Sequence, residues 1–403
     1  MVCGLLGRHL AHSYSPQIHS YLGDYGYEIY EREPDNVGEF LLNGNFTGIN
    51  VTIPYKKTVI PYLDGLTPVA ARLGSVNTIV KRDDNLIGHN TDYFGFYAMV
   101  MKSGVNVFGK KVLVLGSGGA SNTVTAVLSE LGANTVVISR SGDNHYGNLQ
   151  LHKDAAVIVN TTPVGMYPNT GVSPLDLDNF PTLEAVLDLI YNPARTKLLL
   201  DAQARGLITE NGLWMLIAQA KESAEWFKNE KIDDSVIPSI HQKLRSQIEN
   251  IVLIGMPGCG KSTVADLLCK ELHRIAFDAD SEIEKEAGCT IPEIFNKFGE
   301  ETFRTIESRV LERLGKESGL IIATGGGCVT KRENYHYLHQ NGKIFWLERD
   351  ISLLPTAGRP LSQKYGLAEI YSQRKPMYDF FADYTVDNNN TPQEASRTIR
   401  SLL

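Results

Sequence analysis

No two cysteines of this chain stand in a C-x-x-C pair, and the five present (Cys3, Cys259, Cys269, Cys289 and Cys328) form an odd, scattered set. Such usage excludes a disulfide framework and a thiolate zinc site, and it fits reduced thiols in a cytoplasmic protein. Long apolar runs are missing too. Nothing approaches the ~18 consecutive apolar residues of a membrane span, and the opening MVCGLLGRHLAHS has no signal-peptide core, so neither anchor nor leader is expected. Positive charge is in deficit, with 39 Lys and Arg against 46 Asp and Glu for a net −7. That balance argues against a nucleic-acid-binding surface and leaves room for local basic pockets that hold small anions. Low-complexity segments and short repeats are absent as well. What remains is globular composition, 42% hydrophobic and 21% charged over 403 residues, enough for two or three domains with sizeable cores.

The stretch GMPGCGKST (255–263) divides the chain. Preceded by the apolar IVLI and followed by the periodic VADLLCKEL, it reads as strand, loop and helix around the phosphate-loop pattern G-x-x-x-x-G-K-[ST], matched at Gly255, Gly260, Lys261 and Ser262. Glycines let successive N–H groups point at phosphate oxygens, Lys261 is a mobile charge for the β and γ phosphates of ATP, and Ser262 offers a hydroxyl to Mg²⁺. Downstream, Asp278 and Asp280 lie two apart and share one face of a strand end. Two carboxylates beside a triphosphate serve Mg²⁺ and a substrate hydroxyl; the alternative is that Asp280 caps a helix. FGEETFRTIESRVLERL is an amphipathic helix carrying Arg304, and LIIATGGG is a strand whose terminal glycines, Gly325 to Gly327, let a ligand approach the backbone. With no NKxD guanine motif and no apolar strand ending in a Walker-type Asp, a GTPase or motor ATPase fits poorly.

Before the phosphate loop, VCGLLG, YEIYERE and GINVTI read as strands interleaved with the helical patterns PQIHSYLGDYG and VGEFLLN, which is α/β order. Ser13 and Ser15 point to one side of an extended chain and suit a carboxylated or polyhydroxylated ligand; alternatively Ser15 caps a helix begun by Pro16. NVTIPYKK is a strand halted by Pro54, with Lys56 and Lys57 ordinarily solvated there. Asn90-Thr91-Asp92 before YFGFYAMVM reads by default as another cap. KKVLVLG, SGGASNTVTAVLSELG and TVVISR then make strand, Gly-rich turn, helix and strand, with Ser121 where the dinucleotide fingerprint wants a third Gly or Ala. Beyond that second strand stands Ser139-Arg140-Ser141 instead of the acidic residue that binds the ribose of NAD. An arginine flanked by hydroxyls suits a 2′-phosphate and hence NADP, against the alternative of a solvated strand-end residue. The following SGDNHYGNLQLHKD is too short for a full helical crossover, so a trimmed edge is expected, with that helix missing or replaced by a short strand or loop. AAVIVNTT and AVLDLIY read as strands, and TKLLLDAQARG and LWMLIAQAKESAEWF as helices. The closing stretch KNEKIDDSVIPSIHQKLRSQIEN runs without a Gly/Ser tether into IVLIG, which predicts a stiff joint.

HSYSPQIHS, NVTIPYKK, SVNTIV and HNTD, in this order, resemble the substrate half of the shikimate dehydrogenase family, and the resemblance continues through GSGGA (116–120), NTTPVGM (160–166) and GLWML (212–216). It implies that Ser13, Ser15, Thr52, Asn77, Asn90, Asp92 and Gln219 surround shikimate with Tyr191 nearby, and that Lys56 and Asp92 are the catalytic pair. NADP would lie on Gly116, Ser117, Gly118, Gly119, Ala120, Ser139, Arg140 and Gly212. The chemistry agrees: hydride reduction of a ketone puts negative charge on oxygen, which a positioned ammonium stabilises and protonates. From Ile251 onward the chain resembles shikimate kinase. That resemblance implies ATP on Gly258, Cys259, Gly260, Lys261, Ser262 and Thr263, and shikimate on Asp280, Arg304, Gly326, Gly327 and Arg374. Asp280 would take the hydroxyl proton, and Asp278 with Ser262 would place Mg²⁺. Arg359, on the compact lid LPTAGRPLSQKYG, would neutralise the transferring phosphoryl group.

The expected architecture is therefore an α/β chain: an N-terminal α/β substrate domain (1–95, completed by part of 212–245), a Rossmann-like NADP domain (96–245) and a P-loop kinase domain with a parallel sheet (250–403). Both resemblances imply shikimate chemistry, namely reduction of 3-dehydroshikimate with NADPH and phosphorylation of shikimate with ATP. The expected partners are small molecules, with no nucleic acid and no membrane. Two rivals stand beside this reading. The N-terminal part could be a non-catalytic ligand-sensing module, against which intact Lys56 and Asp92 argue, or a quinate-type dehydrogenase, which the Ser13/Ser15 pair disfavours.

Overall fold

The structure is a computed structural model of the chain and describes residues 1–10, 13–354 and 366–403. Among the described residues the strands form three sheets. The first contains β1 (Val2–Gly7), β2 (Gly26–Glu31), β3 (Gly48–Val51), β4 (Gly65–Leu66), β5 (Thr78–Arg82) and β6 (Asn85–His89), in the order β2-β1-β3-β5-β6-β4. β5 runs antiparallel to both its neighbours. Its hairpin to β6 closes on Asp83 and Asp84, both at positive φ (46° and 66°), the two-residue turn whose twist matches paired strands.

The second sheet is parallel throughout: β7 (Lys111–Leu115), β8 (Asn134–Ile138), β9 (Val157–Asn160), β10 (Ala185–Asp188) and β11 (Ile208–Asn211), ordered β11-β10-β9-β7-β8. The runs VLVL and VIVN are buried end to end, as strands covered on both faces require. β8 lies at the edge. The short stretch after it holds no α-helix; a 3-10 segment, Tyr146–His152, and a single bridge between Ser139 and His145 stand in for the crossover.

The third sheet, also parallel, orders β12 (Asn250–Ile254), β13 (Ala276–Asp278), β14 (Ile321–Ala323), β15 (Gly342–Glu348) and β16 (Tyr384–Asp387) as β13-β14-β12-β15-β16. Its core gathers β12, the buried Trp346 and Phe345 of β15, and Tyr378 and Phe381 of the helix Leu367–Phe381. The amphipathic helix around Arg304 is longer than its sequence pattern, Ile291–Gly315, with a break at Gly299 (φ 83°, ψ 172°).

Contacts group the chain into two units. One contains Met1–Val164, Pro174–Tyr191 and Asp201–Lys243; the other contains Gly165–Ser173, Asn192–Leu200 and Leu244–Leu403. The closing helix spans Val236–Ile248, and β12 begins at Asn250. Among the described residues no helix is long and apolar enough to cross a membrane.

The alternative cap roles of Ser15 and Asp280 do not hold. The first short helix starts at Ser15, not Pro16, and its N-cap Tyr14 makes no side-chain cap bond; Ser13 Oγ instead accepts from Ser15 N at 3.2 Å. At the start of Ala279–Ala287 the cap is Asp278, not Asp280, because Asp278 Oδ1 accepts from the N–H groups of Asp280 (3.0 Å) and Ser281 (3.4 Å).

Candidate active sites

In the first unit the turn after β3 carries Lys56, whose carbonyl accepts from Val76 N at 2.8 Å. Its Nζ lies 2.6 Å from Asp92 Oδ2. Asp92 opens the helix Asp92–Ser103, where the dipole favours a carboxylate. Its other oxygen accepts from Asn77 Nδ2 at 3.0 Å, and its backbone N–H donates to Asn90 Oδ1 at 3.1 Å. Asn90 is itself fixed by donating to Ser75 O at 2.9 Å. Gln219, from the helix Leu213–Lys228, accepts from Thr91 Oγ1 at 3.3 Å and Asn77 Nδ2 at 3.5 Å. The structure thus gathers Lys56, Asn77, Asn90, Asp92 and Gln219 into one hydrogen-bonded group, with Lys56 partly exposed and able to meet a ligand.

Ser13, Ser15, Thr52 and Tyr191 are placed by other contacts. Thr52 N donates to Leu6 O at 2.9 Å, which sets this residue where β1 and β3 end. The rings of Tyr14 and Tyr191 lie 5.6 Å apart, so Tyr191 flanks the residue between the two serines. Sequence reasoning gave Thr91 only a place in a helix cap and missed Ser223. Ser223 Oγ accepts from Asn50 Nδ2 at 2.8 Å and lies 2.9 Å from Thr78 Oγ1 and 3.1 Å from Thr91 Oγ1. The available signal was its position four residues after Gln219, on the same helix face.

The Gly-rich turn after β7 leaves open space at the start of a helix. Gly118 is the extended N-cap of the helix Gly119–Glu130, with no side chain capping it, and nothing lies within 4 Å of a Cβ built at Gly118 or Gly119. Ser121 is buried and takes the packing place of the third fingerprint glycine. Arg140 is exposed beyond the end of β8, and the Ser139 hydroxyl is engaged by the Ser141 carbonyl. Gly212 caps the helix Leu213–Lys228, its N–H bonded to Ile190 O at 3.1 Å.

In the second unit an open cavity of about 590 Å³ runs from Lys261 and Ser262 past Asp278 and Asp280 to Arg304, Gly326 and Arg374. The phosphate loop forms its floor. Lys261 is buried and folded back, donating to Gly255 O (2.9 Å) and Met256 O (3.1 Å), while Ser262 Oγ donates to Asp278 Oδ2 at 2.6 Å. A hydroxyl and a carboxylate so close are hard oxygen donors of the kind Mg²⁺ takes. The Cys259 carbonyl accepts from Asn388 Nδ2 at 2.5 Å, and Gly258 and Thr263 line the same wall.

At the other end the glycines after β14 are dictated by what they touch. A Cβ at Gly327 would come within 2.2 Å of the Arg304 guanidinium, and one at Gly326 within 2.5 Å of Pro257. Arg304 is held by Glu307 (2.7 Å) and Glu300 (3.2 Å), and Arg374 donates to Gly326 O at 2.9 Å. Burial raises the Asp280 carboxyl pKa, the neighbouring charge of Asp278 adds to the rise, and Lys261 and Arg304 oppose it. Burial likewise raises the carboxyl pKa of Glu307, whose Oε1 has no hydrogen-bond partner. Sequence reasoning missed Glu307, although its i,i+3 spacing from Arg304 is visible. Arg359 and the lid residues 355–365 lie outside the described residues.

A dinucleotide-type parallel sheet with an ammonium–carboxylate pair beside it, followed by a phosphate-loop sheet with cations facing a cavity, defines a two-enzyme chain: a dehydrogenase and a small-molecule kinase. The family described as shikimate kinase matches residues 257–403, and that described as shikimate dehydrogenase substrate binding domain matches residues 5–79. Shikimate dehydrogenase (NADP(+)) of Clostridium perfringens strain 13 is 34% identical over 264 residues, covering 60% of this chain and 97% of the relative. The crystal structure of shikimate dehydrogenase 1 from Peptoclostridium difficile is 36% identical, with a TM-score of 0.57 and coverage of 60% of this chain and 98% of that one. That of shikimate 5-dehydrogenase from Thermus thermophilus, in complex with NADP(H) and shikimate, is 30% identical, with a TM-score of 0.56 and coverage of 60% and 99%. This chain belongs to the shikimate dehydrogenase family and carries a shikimate kinase domain at its C-terminal end. The two domains together are those of a bifunctional enzyme of the shikimate pathway, in aromatic amino acid biosynthesis.

Proposed function

We propose that this chain reduces 3-dehydroshikimate to shikimate at Lys56 and Asp92 with NADPH, and phosphorylates the shikimate 3-hydroxyl with ATP and Mg²⁺ at the phosphate-loop cavity. The observation that carries the reading is the 2.6 Å contact between Lys56 and Asp92, with Asn77 bonded to the second carboxylate oxygen. When bound, NADPH supplies the hydride to the first site, and ATP with Mg²⁺ supplies the phosphoryl group to the second. Lys56 Nζ stabilises the developing alkoxide and gives it a proton, while Asp92 keeps the ammonium aimed. Ser13, Ser15, Thr52 and Tyr191 bind the rest of the ring substituents, Asn90 and Gln219 holding the floor. In the kinase cavity Arg304 and Arg374 bind the carboxylate, with Gly326 and Gly327 allowing close approach. Asp280 accepts the hydroxyl proton, a task its raised pKa suits. Ser262 and Asp278 would hold Mg²⁺, and Lys261 exchanges its two backbone carbonyls for phosphate oxygens.

The test follows NADPH formation by purified protein given shikimate and NADP⁺, with quinate and NAD⁺ in parallel. Lys56→Ala is expected to lower turnover roughly 10²–10⁴-fold, the range for lost general acid–base catalysis, while shikimate affinity changes far less. Near-normal turnover in that variant would sink the assignment.

A further inference from the structure

The shortened stretch after β8 is not a slack link. Ser139 and His145 form a parallel bridge, and Ser139 N donates to Asn144 O at 3.1 Å. Asn148 ties the turn from both ends, its Oδ1 accepting from His145 N (2.9 Å) and its Nδ2 donating to Asp143 O (2.7 Å). His152 Nε2 lies 3.0 Å from Asn144 Oδ1. These bonds fold residues 141–148 back over the C-terminal end of β8. The next side chain after the bridge is Tyr146, half-buried, whose pKa is raised by burial and lowered by the nearby positive charge of Arg140. The adenosine half of a dinucleotide lies past the carboxyl ends of strands such as β7 and β8, where an open parallel sheet leaves its crevice. There the trimmed crossover supplies no α-helix, only the 3-10 segment that Tyr146 opens.

We propose that Tyr146 is the adenine platform of the dehydrogenase site, its ring face stacking on the purine while Arg140, beside it, binds the 2′-phosphate. The proposal rests on the NADP reading of this site and adds the residue that holds the base. A flat aromatic face binds any purine, and a base–aromatic stack is worth enough to change affinity roughly 10–100-fold.

The probe is adenosine 2′,5′-bisphosphate, which carries the base and the 2′-phosphate without nicotinamide, titrated into the full-length protein and its variants. Tyr146→Ala is expected to weaken its binding roughly 10–100-fold and to raise the KM for NADP⁺ with kcat unchanged. Tyr146→Phe and Tyr146→Trp, which keep a ring, should bind within about threefold of wild type, an effect below one stacking contact. An unchanged kcat for shikimate oxidation at saturating NADP⁺ in each variant reports an intact dehydrogenase unit. Wild-type affinity in Tyr146→Ala, or equal losses in Tyr146→Ala and Tyr146→Phe, would overturn the platform. Wild-type protein that neither binds the bisphosphate nor reduces NADP⁺ would overturn the NADP reading itself, a different and recognisable failure.

Discussion

Asp278 and Asp280 sit two positions apart, and the fold separates their surroundings. Asp278 is spent on the helix N-terminus and on Ser262, which leaves the half-buried Asp280 beside its negative charge. Since the Asp280 carboxyl pKa is raised, its ionised form is disfavoured in the fold. Its contribution to stability is therefore present below its unfolded pKa and lost as pH rises through the folded value. Catalysis has the opposite sense, because a base must be ionised: the acid limb of kinase kcat/KM should lie above the ordinary carboxylate range. Asp278→Asn should move that limb to lower pH whatever it does to the maximal rate, and a limb that stays in place would count against the proposed base. His19 offers a second pH test. Burial lowers its imidazole pKa from 6.5 to about 3, so stability is complete above 6.5 and drains as pH falls from there toward the folded value, by up to ~5 kcal/mol. His19→Phe keeps the stack on Tyr27, whose ring centroid is 4.0 Å away, and should flatten thermal stability between pH 6.5 and 4. A variant whose melting temperature fell with pH in parallel with wild type would contradict this.

At the scale of elements, two glycine-rich turns make contrasting demands. Gly118→Ala meets open space at an ordinary φ of −83°, so the protein should fold normally and lose NADP⁺ affinity only through a methyl group set against the pyrophosphate. Gly327→Ala would push the Arg304 guanidinium from its seat. Shikimate KM in the kinase assay should rise tenfold or more, about 1.4 kcal/mol per decade, with dehydrogenase kinetics unchanged. Ser223→Ala should cost ~1–3 kcal/mol of stability by stripping a partner from buried Asn50 and Thr78, measured by denaturant unfolding of the dehydrogenase unit. What the sequence made legible follows from the same contrast. NVTIPYKK, GSGGA and GMPGCGKST put strand, break and charge within a few residues, so periodicity and turn chemistry placed the strands and both Gly-rich turns, whereas Lys56 read as a solvated lysine until the family resemblance singled it out. The Asn50–Ser223 contact joins positions 173 apart and depends on how one helix seats on β3 and β5, which no local pattern encodes. The caps failed for a smaller reason. Ser13, Asp278 and Asp280 lie within two residues of a helix start, and which side chain reaches the free N–H groups depends on backbone dihedrals that spacing does not reveal.

Across the whole molecule, one chain carries two domains whose families act on the same ring acid. If each site works as proposed, the two activities are separable by single substitutions: Lys56→Ala removes the first and leaves the second, and Asp280→Asn does the reverse. The most direct measurement supplies purified protein with 3-dehydroshikimate, NADPH, ATP and Mg²⁺ and records NADPH consumed against ADP formed. The account predicts that ADP appears only after NADPH oxidation begins and approaches one per NADPH, that Lys56→Ala abolishes both signals, and that Asp280→Asn abolishes ADP alone. ATP turnover with added shikimate but no NADPH oxidation from 3-dehydroshikimate would contradict it, leaving a kinase joined to a dehydrogenase fold that does no chemistry.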